Sequence, residues 1–381
     1  MCQVAKCRIG FLVNPIAGMG GAVGLKGTDG RLYVEALERG AKPVAPARAV
    51  RFLDRLQMIG SSDVELALAG GIMGCDYLSS TLLRKHVCLD IPASNITTRE
   101  DTLRVVREFI RLKVDAIVFV GGDGTARDVL EASNSLVPIL GVPSGVKVYS
   151  SVFAISPEAA AEILLDYCRG EGVIEVGEVV DVDEYSLQRD ILSIRSFGKA
   201  YTLSSKNLRV STKEFGSTED LESVAEHFIE EVYRPGAVFI FGPGSTTKAI
   251  VSKLGIDKTL LGFDAVLNGE LIGKDLTARE IEKIVKEFKD VYIVLSVIGG
   301  QGYLIGRGNQ QLTPEILKTL GRDRIIVVSS RSKFSKLRYL LIDSGDLEVD
   351  RDLSGYYRVI VEYGETYLIK ALPASDPAAL R

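Results

Sequence analysis

Asp115-Ala-Ile-Val-Phe-Val-Gly-Gly-Asp-Gly-Thr125 decides the fold. Ala116 to Val120 are apolar without interruption, the pattern of a parallel strand covered on both faces. The run ends in Gly121-Gly122-Asp123-Gly124-Thr125, so Asp123 emerges beyond the carboxyl edge of a strand. In open α/β sheets ligands gather at that edge. The glycines allow close backbone approach to phosphate oxygens, with no Cβ in the way. A following helix would turn its free N–H groups and positive dipole end to the same place. A bare carboxylate repels phosphate there. It becomes useful if it accepts a proton from an attacking hydroxyl, or holds a magnesium ion bridging the phosphates. The plainer alternative is that Asp123 only caps the helix.

Working outward, the first half alternates strand, glycine turn and helix. Arg8–Val13 is a compact apolar strand, followed by Asn14, Pro15 and Gly18-Met19-Gly20-Gly21. That turn can cradle a diphosphate with backbone amides, or serve as an ordinary β–α turn. Leu32–Arg39 and Ala47–Ile59 have helical period, Val64–Ala69 reads as a second strand, and Arg99–Leu112 as a helix with Thr97 and Thr98 as candidate caps. Such alternation predicts a doubly wound sheet.

Beyond about Gly170 short β-like runs dominate: Gly172–Val182, Gln188–Ser196, Ala237–Phe241, Leu260–Val266 and Glu270–Ile272. Asn268-Gly269 between the last two is a strong hairpin signal, and Tyr357–Tyr363 with Thr366–Ala371 predicts another. Helices are expected at Ser217–Val232, Ser245–Leu254, Thr277–Lys286 and Pro314–Thr319, the last capped by Thr313. The expected fold class is α/β, a Rossmann-like N-terminal domain (1–168) plus a β-rich C-terminal domain with helices (169–381).

The bulk properties exclude several classes. At 381 residues the chain is too long for one ordinary core. Its 46 basic and 50 acidic residues are spread without a block of like charge, which favours neither nucleic acid nor an anionic membrane as partner. No apolar run reaches the roughly 18–20 residues of a spanning helix. The N-terminus lacks a signal-like apolar region, so a cytoplasmic location is expected. The five cysteines are scattered and never spaced as CxxC, which predicts buried or incidental thiols in a reducing compartment. The two histidines, His86 and His227, sit beside no ligand cluster, so no protein-built metal site is expected. Neither glycine turn matches the dinucleotide fingerprint, since Val23 stands at the third glycine position, and no Walker A loop occurs.

Further candidates are weaker. Lys147 can neutralise a phosphate or lie solvated on the surface. Gly244, Ser245 and Thr246 open a helix after a Gly-Pro-Gly turn and offer amides and hydroxyls to an anion, or simply cap it. Gln301, Arg307 and Asn309 lie among glycines, where loops aim side chains at ligands. Arg331, Lys333, Lys336 and Arg338 read as a solvated basic face.

Gly121–Thr125 after a buried strand, with the upstream Asn14–Gly21 turn, resembles the NAD kinase and diacylglycerol kinase superfamily. Gly141–Lys147, Gly242–Thr247 and Gly299–Gln310 narrow the similarity to the archaeal and bacterial ATP-NAD kinase-like branch that includes AcoX-type proteins. The resemblance implies a phosphotransferase using ATP (or polyphosphate) and Mg2+, with NAD or a related small molecule as acceptor, and a homo-oligomer. It places Asp123 at the acceptor's 2′-hydroxyl and Gly122, Gly124 and Thr125 along the phosphates. The family's Asn-Glu pair has its nearest match in Asn268-Gly-Glu270, which is better explained as a hairpin turn. Two alternatives stay open: a kinase of another small alcohol, and a non-catalytic nucleotide-binding regulator.

Overall fold

A computed structural model describes residues 7–25, 31–78, 86–91, 97–144, 148–182, 194–205, 218–297 and 302–376. The first sheet has seven strands: β1 (Cys7–Val13), β2 (Val64–Leu68), β3 (His86–Cys88), β4 (Ala116–Gly121), β5 (Ile139–Pro143), β6 (Val173–Val182) and β7 (Ile194–Ser204). Their order is β3-β2-β1-β4-β5-β7-β6. All neighbours are parallel except β6 and β7, a hairpin added at the edge. This hairpin carries the first sheet past the expected division at 168/169.

The helices of this half are α1 (Arg31–Glu38), α2 (Ala45–Gly60), α3 (Arg99–Arg111), α4 (Asp123–Ser133) and α5 (Pro157–Cys168). Successive residues of a strand face opposite sides. Phe11 of β1 stacks on Phe52 of α2, while the ring of Phe109 in α3 covers Gly10. Helices therefore clothe both faces, which is why β4 is buried along its whole length. Thr98 begins α3 in a capping box with Asp101.

The second sheet has nine strands: β8 (Val238–Phe241), β9 (Asp264–Leu267), β10 (Glu270–Gly273), β11 (Val291–Ser296), β12 (Tyr303–Ile305), β13 (Ile325–Val328), β14 (Leu340–Ile342), β15 (Gly355–Glu362) and β16 (Glu365–Pro373). The order is β10-β9-β8-β11-β13-β15-β16-β14-β12. The two expected hairpins form here, β9–β10 turning at Asn268 and Gly269, both at positive φ, and β15–β16 turning at Gly364. Between them β8, β11, β13 and β15 run parallel. The second half is thus strand-rich, but its centre is parallel and interleaved with helices, among them Thr218–His227, Ser245–Lys253, Ala278–Glu287 and Pro314–Leu320.

The halves share packing. Tyr303, Leu341, Leu372 and Ala374 join the core of the first sheet. Arg48 of α2 donates to both carboxylate oxygens of Asp343, at 2.6 and 2.5 Å, and Arg51 bridges Asp343 (2.9 Å) and Glu158 (2.8 Å). Those two guanidiniums hold the buried Asp343 carboxyl well below the usual range, against burial that pushes it up.

Two expectations change. Cys7 pairs with Cys168, and Cys75 with Cys88, as disulfides. The fold brings the start of β1 to the end of α5, a proximity that sequence spacing does not carry. Lys333 is buried rather than solvated, and Arg331 is tied to Glu362 at 2.8 Å. No helix among the described residues is long and apolar enough to cross a membrane.

Candidate functional site

Strand order reverses about β1, with β2 on one side and β4 on the other, so the connections leaving β1 and β4 diverge and open a crevice at their carboxyl ends. Both glycine turns lie there. Asn14 follows β1, its backbone N–H donating to Val120 O at 2.9 Å. Its side-chain amide donates to Thr125 Oγ1 (3.0 Å), and its Oδ1 accepts from Ile16 N at 3.3 Å. One side chain therefore stitches the first turn to the second.

Gly18 sits at φ +82, where a Cβ would lie 2.2 Å from Ser144 O. Ser144 N in turn donates to Gly121 O at 3.1 Å. Gly121 is packed so closely that a Cβ would meet the Thr125 side chain at 2.5 Å. Gly122 is the extended cap of α4, which opens on Asp123 and Gly124. Gly20 O accepts from Val23 N and Leu25 N, closing the upstream turn, and Gly21 lies against Gln310 of the second half. Asn14, Gly18, Gly121, Gly122, Asp123, Gly124 and Thr125 are thus brought together. Ser144 is a member that sequence reading missed; its hydroxyl is buried with no hydrogen-bond partner among the described residues.

Asp123 is only 7% exposed. Its Oδ2 accepts from Tyr149 N at 2.7 Å and its Oδ1 from Ser150 N at 2.9 Å. Burial pushes its carboxyl up, the hydrogen bonds from Ser150 and Tyr149 pull it down, and the negative charge of Asp181 pushes it up again, leaving it at about 7. Asp181 is itself held by Arg127 at 3.1 Å. A carboxylate has about four acceptor positions, more than the hydrogen bonds from Tyr149 and Ser150 use, so Asp123 retains capacity to accept a proton. A carboxyl near neutrality is matched to general-base work.

The other candidates lie elsewhere. Gly244, at φ +133, precedes the helix Ser245–Lys253 and packs on Ser296 at the end of β11. Thr247 caps that turn through Gly242 O and Gly244 O, while the buried hydroxyl of Thr246 has no partner. These contacts all belong to the second sheet, so this turn does not join Asp123. Arg307 is 1% exposed, lies over the Tyr303 ring at 4.6 Å and donates through Nη2 to Ile155 O of the first half at 2.5 Å. Its Nη1 is buried without a partner. Asn309 closes its own loop, accepting from Gly306 N and donating to Leu304 O, both at 2.8 Å. Lys147 and Gln301 lie outside the described residues.

Comparison with protein families decides what this assembly is. The ATP-NAD kinase N-terminal domain matches residues 9–172, and the ATP-NAD kinase C-terminal domain matches 235–371. The chain belongs to the ATP-NAD kinase family. It is therefore a kinase of that family, a phosphotransferase, with Gly121–Thr125 inside the first matched domain and the β8–β16 sheet in the second. No curated protein matches the chain. Among solved structures, a conserved domain protein from Vibrio cholerae O1 biovar El Tor str. N16961 is 9% identical, with a TM-score of 0.26, over 88% of this chain and 76% of that one. UDP-GlcNAc 2-epimerase from Neisseria meningitidis, bound to UDP-GlcNAc, is 11% identical with a TM-score of 0.22, over 89% and 78%. Likeness this weak says nothing about the kinase described here.

Among the described residues of this ATP-NAD kinase relative, no group of three or more His, Cys, Asp or Glu side chains forms a metal cage. Magnesium needs no such cage, since it binds through one or two carboxylates together with substrate phosphates. Asp181 is already held by Arg127, and Asp123 is the carboxylate at this crevice.

Proposed function

We propose that this chain phosphorylates the 2′-hydroxyl of NAD, using ATP and Mg2+, to give NADP. The observation that carries the reading is Asp123: a carboxyl at about 7, at the first turn of α4, in a glycine crevice at the sheet's switch point. The acceptor oxygen attacks the terminal phosphorus of the donor, the bond from that phosphorus to the leaving diphosphate breaks, and Asp123 takes the hydroxyl proton. The backbone amides near Gly18, Gly20 and Gly21 and the N-terminus of α4 at Gly122, Gly124 and Thr125 hold phosphate oxygens. Asn14 fixes the spacing of the two turns through Thr125. Magnesium, if bound, would be carried on the donor's triphosphate and would neutralise phosphate charge there, leaving Asp123 to take the proton.

In the same reading Lys147 supplies charge to a phosphate, and Gly244, Ser245 and Thr246 take an anionic part of a substrate at the second sheet. Gln301, Arg307 and Asn309 serve the acceptor; Arg307 Nη1, buried with no hydrogen-bond partner among the described residues, is the best supported of these contacts. A coupled assay for NADP from purified protein, NAD, ATP and magnesium tests the reading. NADP formation supports it. Nucleotide binding with no NADP, but phosphorylation of another hydroxyl compound, would replace the acceptor and keep the kinase.

A further inference from the structure

A cleft of about 820 Å³ lies between the two halves and shares the Gly18 turn with the crevice described above. Its first wall is the Gly18–Val23 turn with residues 39–51, leading into α2. Its second wall is Thr277–Glu280, residues 306–315 and Asp343–Gly345. The cations on these walls fall into two kinds. Arg48 and Arg51 are satisfied by Asp343 and Glu158, and Arg39 by Glu35. Lys42 and Arg279 have no carboxylate partner among the described residues.

These two come from opposite halves. Arg279 reaches across the cleft, its Nη2 so near Gly40 that a Cβ there would lie 2.5 Å away. Lys42 is two residues further along. Two cations on facing walls, neither bonded to a carboxylate among the described residues, gain from an anion placed between them. The start of α2 at Ala45 and the start of the helix Ala278–Glu287 open on the same space, adding positive dipole ends. Glu280 and Glu315 are also on the wall; the Glu280 carboxylate is spent accepting from Thr277 N and Oγ1, both at 2.8 Å. Met19, Val23, Val44 and Leu312 make the remaining surface apolar. An anion seat beside an apolar wall fits a ligand with both characters. A nucleotide has phosphates for the cations and a base and ribose for the wall; an inorganic phosphate chain has only the first.

We propose that this cleft seats the phosphates of one of the two nucleotides, with Lys42 and Arg279 clamping them from opposite halves. The proposal rests on the kinase reading, and specifies how a nucleotide spans the two domains. It also gives the clamp a mechanical role, since one ligand held by both walls favours a closed arrangement in which the Gly18 turn lies against it.

Titration calorimetry with NAD alone, and with a non-hydrolysable ATP analogue alone, tests the clamp without turnover. Lys42→Glu and Arg279→Glu are both exposed positions, and circular dichroism and the unfolding midpoint verify that each variant folds. Each substitution is expected to weaken the same one of the two nucleotides by about tenfold or more, with the other nucleotide changed little. Which of the two responds assigns the cleft to donor or acceptor. Dissociation constants for both nucleotides within about twofold of the parent would overturn the clamp. Inorganic tripolyphosphate is expected to bind far more weakly than the responding nucleotide, and equal affinity would overturn the role of the apolar wall. The two readings fail separately. Lost nucleotide affinity in a chain that makes no NADP keeps the clamp and removes the reaction. Normal KM values in both variants of an active enzyme do the reverse.

Discussion

Asp343→Ala removes the carboxylate on which α2 of the first half meets the second. Asp343 is 4% exposed and accepts three charge-assisted hydrogen bonds, two from Arg48 and one from Arg51. Arg51 keeps Glu158, at 2.8 and 3.0 Å, so its loss is partial. Arg48 is 5% exposed and keeps no acidic partner among the described residues. Stranding a buried charge in this way costs about 3–5 kcal/mol, a large part of the roughly 5–15 kcal/mol that holds a domain folded. Because the folded carboxyl lies below its unfolded value, the pair's contribution is present above the ordinary carboxylate range. It is lost only as pH falls through the folded value. The cost should therefore be full at pH 7 and shrink in strong acid. Urea unfolding followed by circular dichroism reads it, the halves being allowed separate transitions. Arg48→Met added to Asp343→Ala should restore most of the loss by removing the stranded charge. A single variant within about 1 kcal/mol of the parent, or a double variant no better than the single, would refute the reasoning.

Gly18→Ala forces a side chain into a left-handed conformation and towards Ser144 O, so it should cost about 1–3 kcal/mol at the turn; nucleotide affinity by calorimetry should fall while the far-ultraviolet spectrum stays native. The Asp123 carboxyl is raised in the folded protein, so the folded state binds more protons than the unfolded one between about pH 4 and about 7. Its contribution to stability therefore declines as pH rises through that window, while kcat/KM rises through about 7 as the base ionises; a pH–rate profile flat from 5 to 8 would count against the base. Denatured protein without reductant should show one titratable thiol, the five cysteines less the four in the two bridges, and five after reduction; equal counts would remove the disulfides.

The sequence carried the first sheet further than the second. The uninterrupted apolar run into Gly121–Thr125 defines β4, its burial and its exit at the ligand-binding edge, because those depend on local pattern. Asn268-Gly269 and the β15–β16 turn were legible for the same reason. The parallel centre of the second sheet was not: β11, β13 and β14 are short, five of the six residues of β11 and all of β14 are buried, and short buried strands lack the alternation that marks a surface strand. At the site, Asn14, Gly18 and Asp123 were visible as motif residues. Ser144, Tyr149 and Ser150 were not, because they act through position and backbone groups that any side chain could accompany. The Arg48–Asp343 bridge spans 295 residues, and each partner alone reads as an ordinary surface charge. The cysteine pairs show the same limit.

The central claim is that Asp123 performs the chemistry and does more than cap α4. It is tested by NADP formation measured side by side for the parent and Asp123→Asn, with nucleotide affinity measured on both. Asparagine keeps the shape and an acceptor oxygen but cannot take the proton. Removal of a general base of this kind lowers turnover about 100–10,000-fold, and the account predicts that loss with nucleotide affinity within a few-fold of the parent. Full turnover in Asp123→Asn would contradict it, and leave Asp123 a cap.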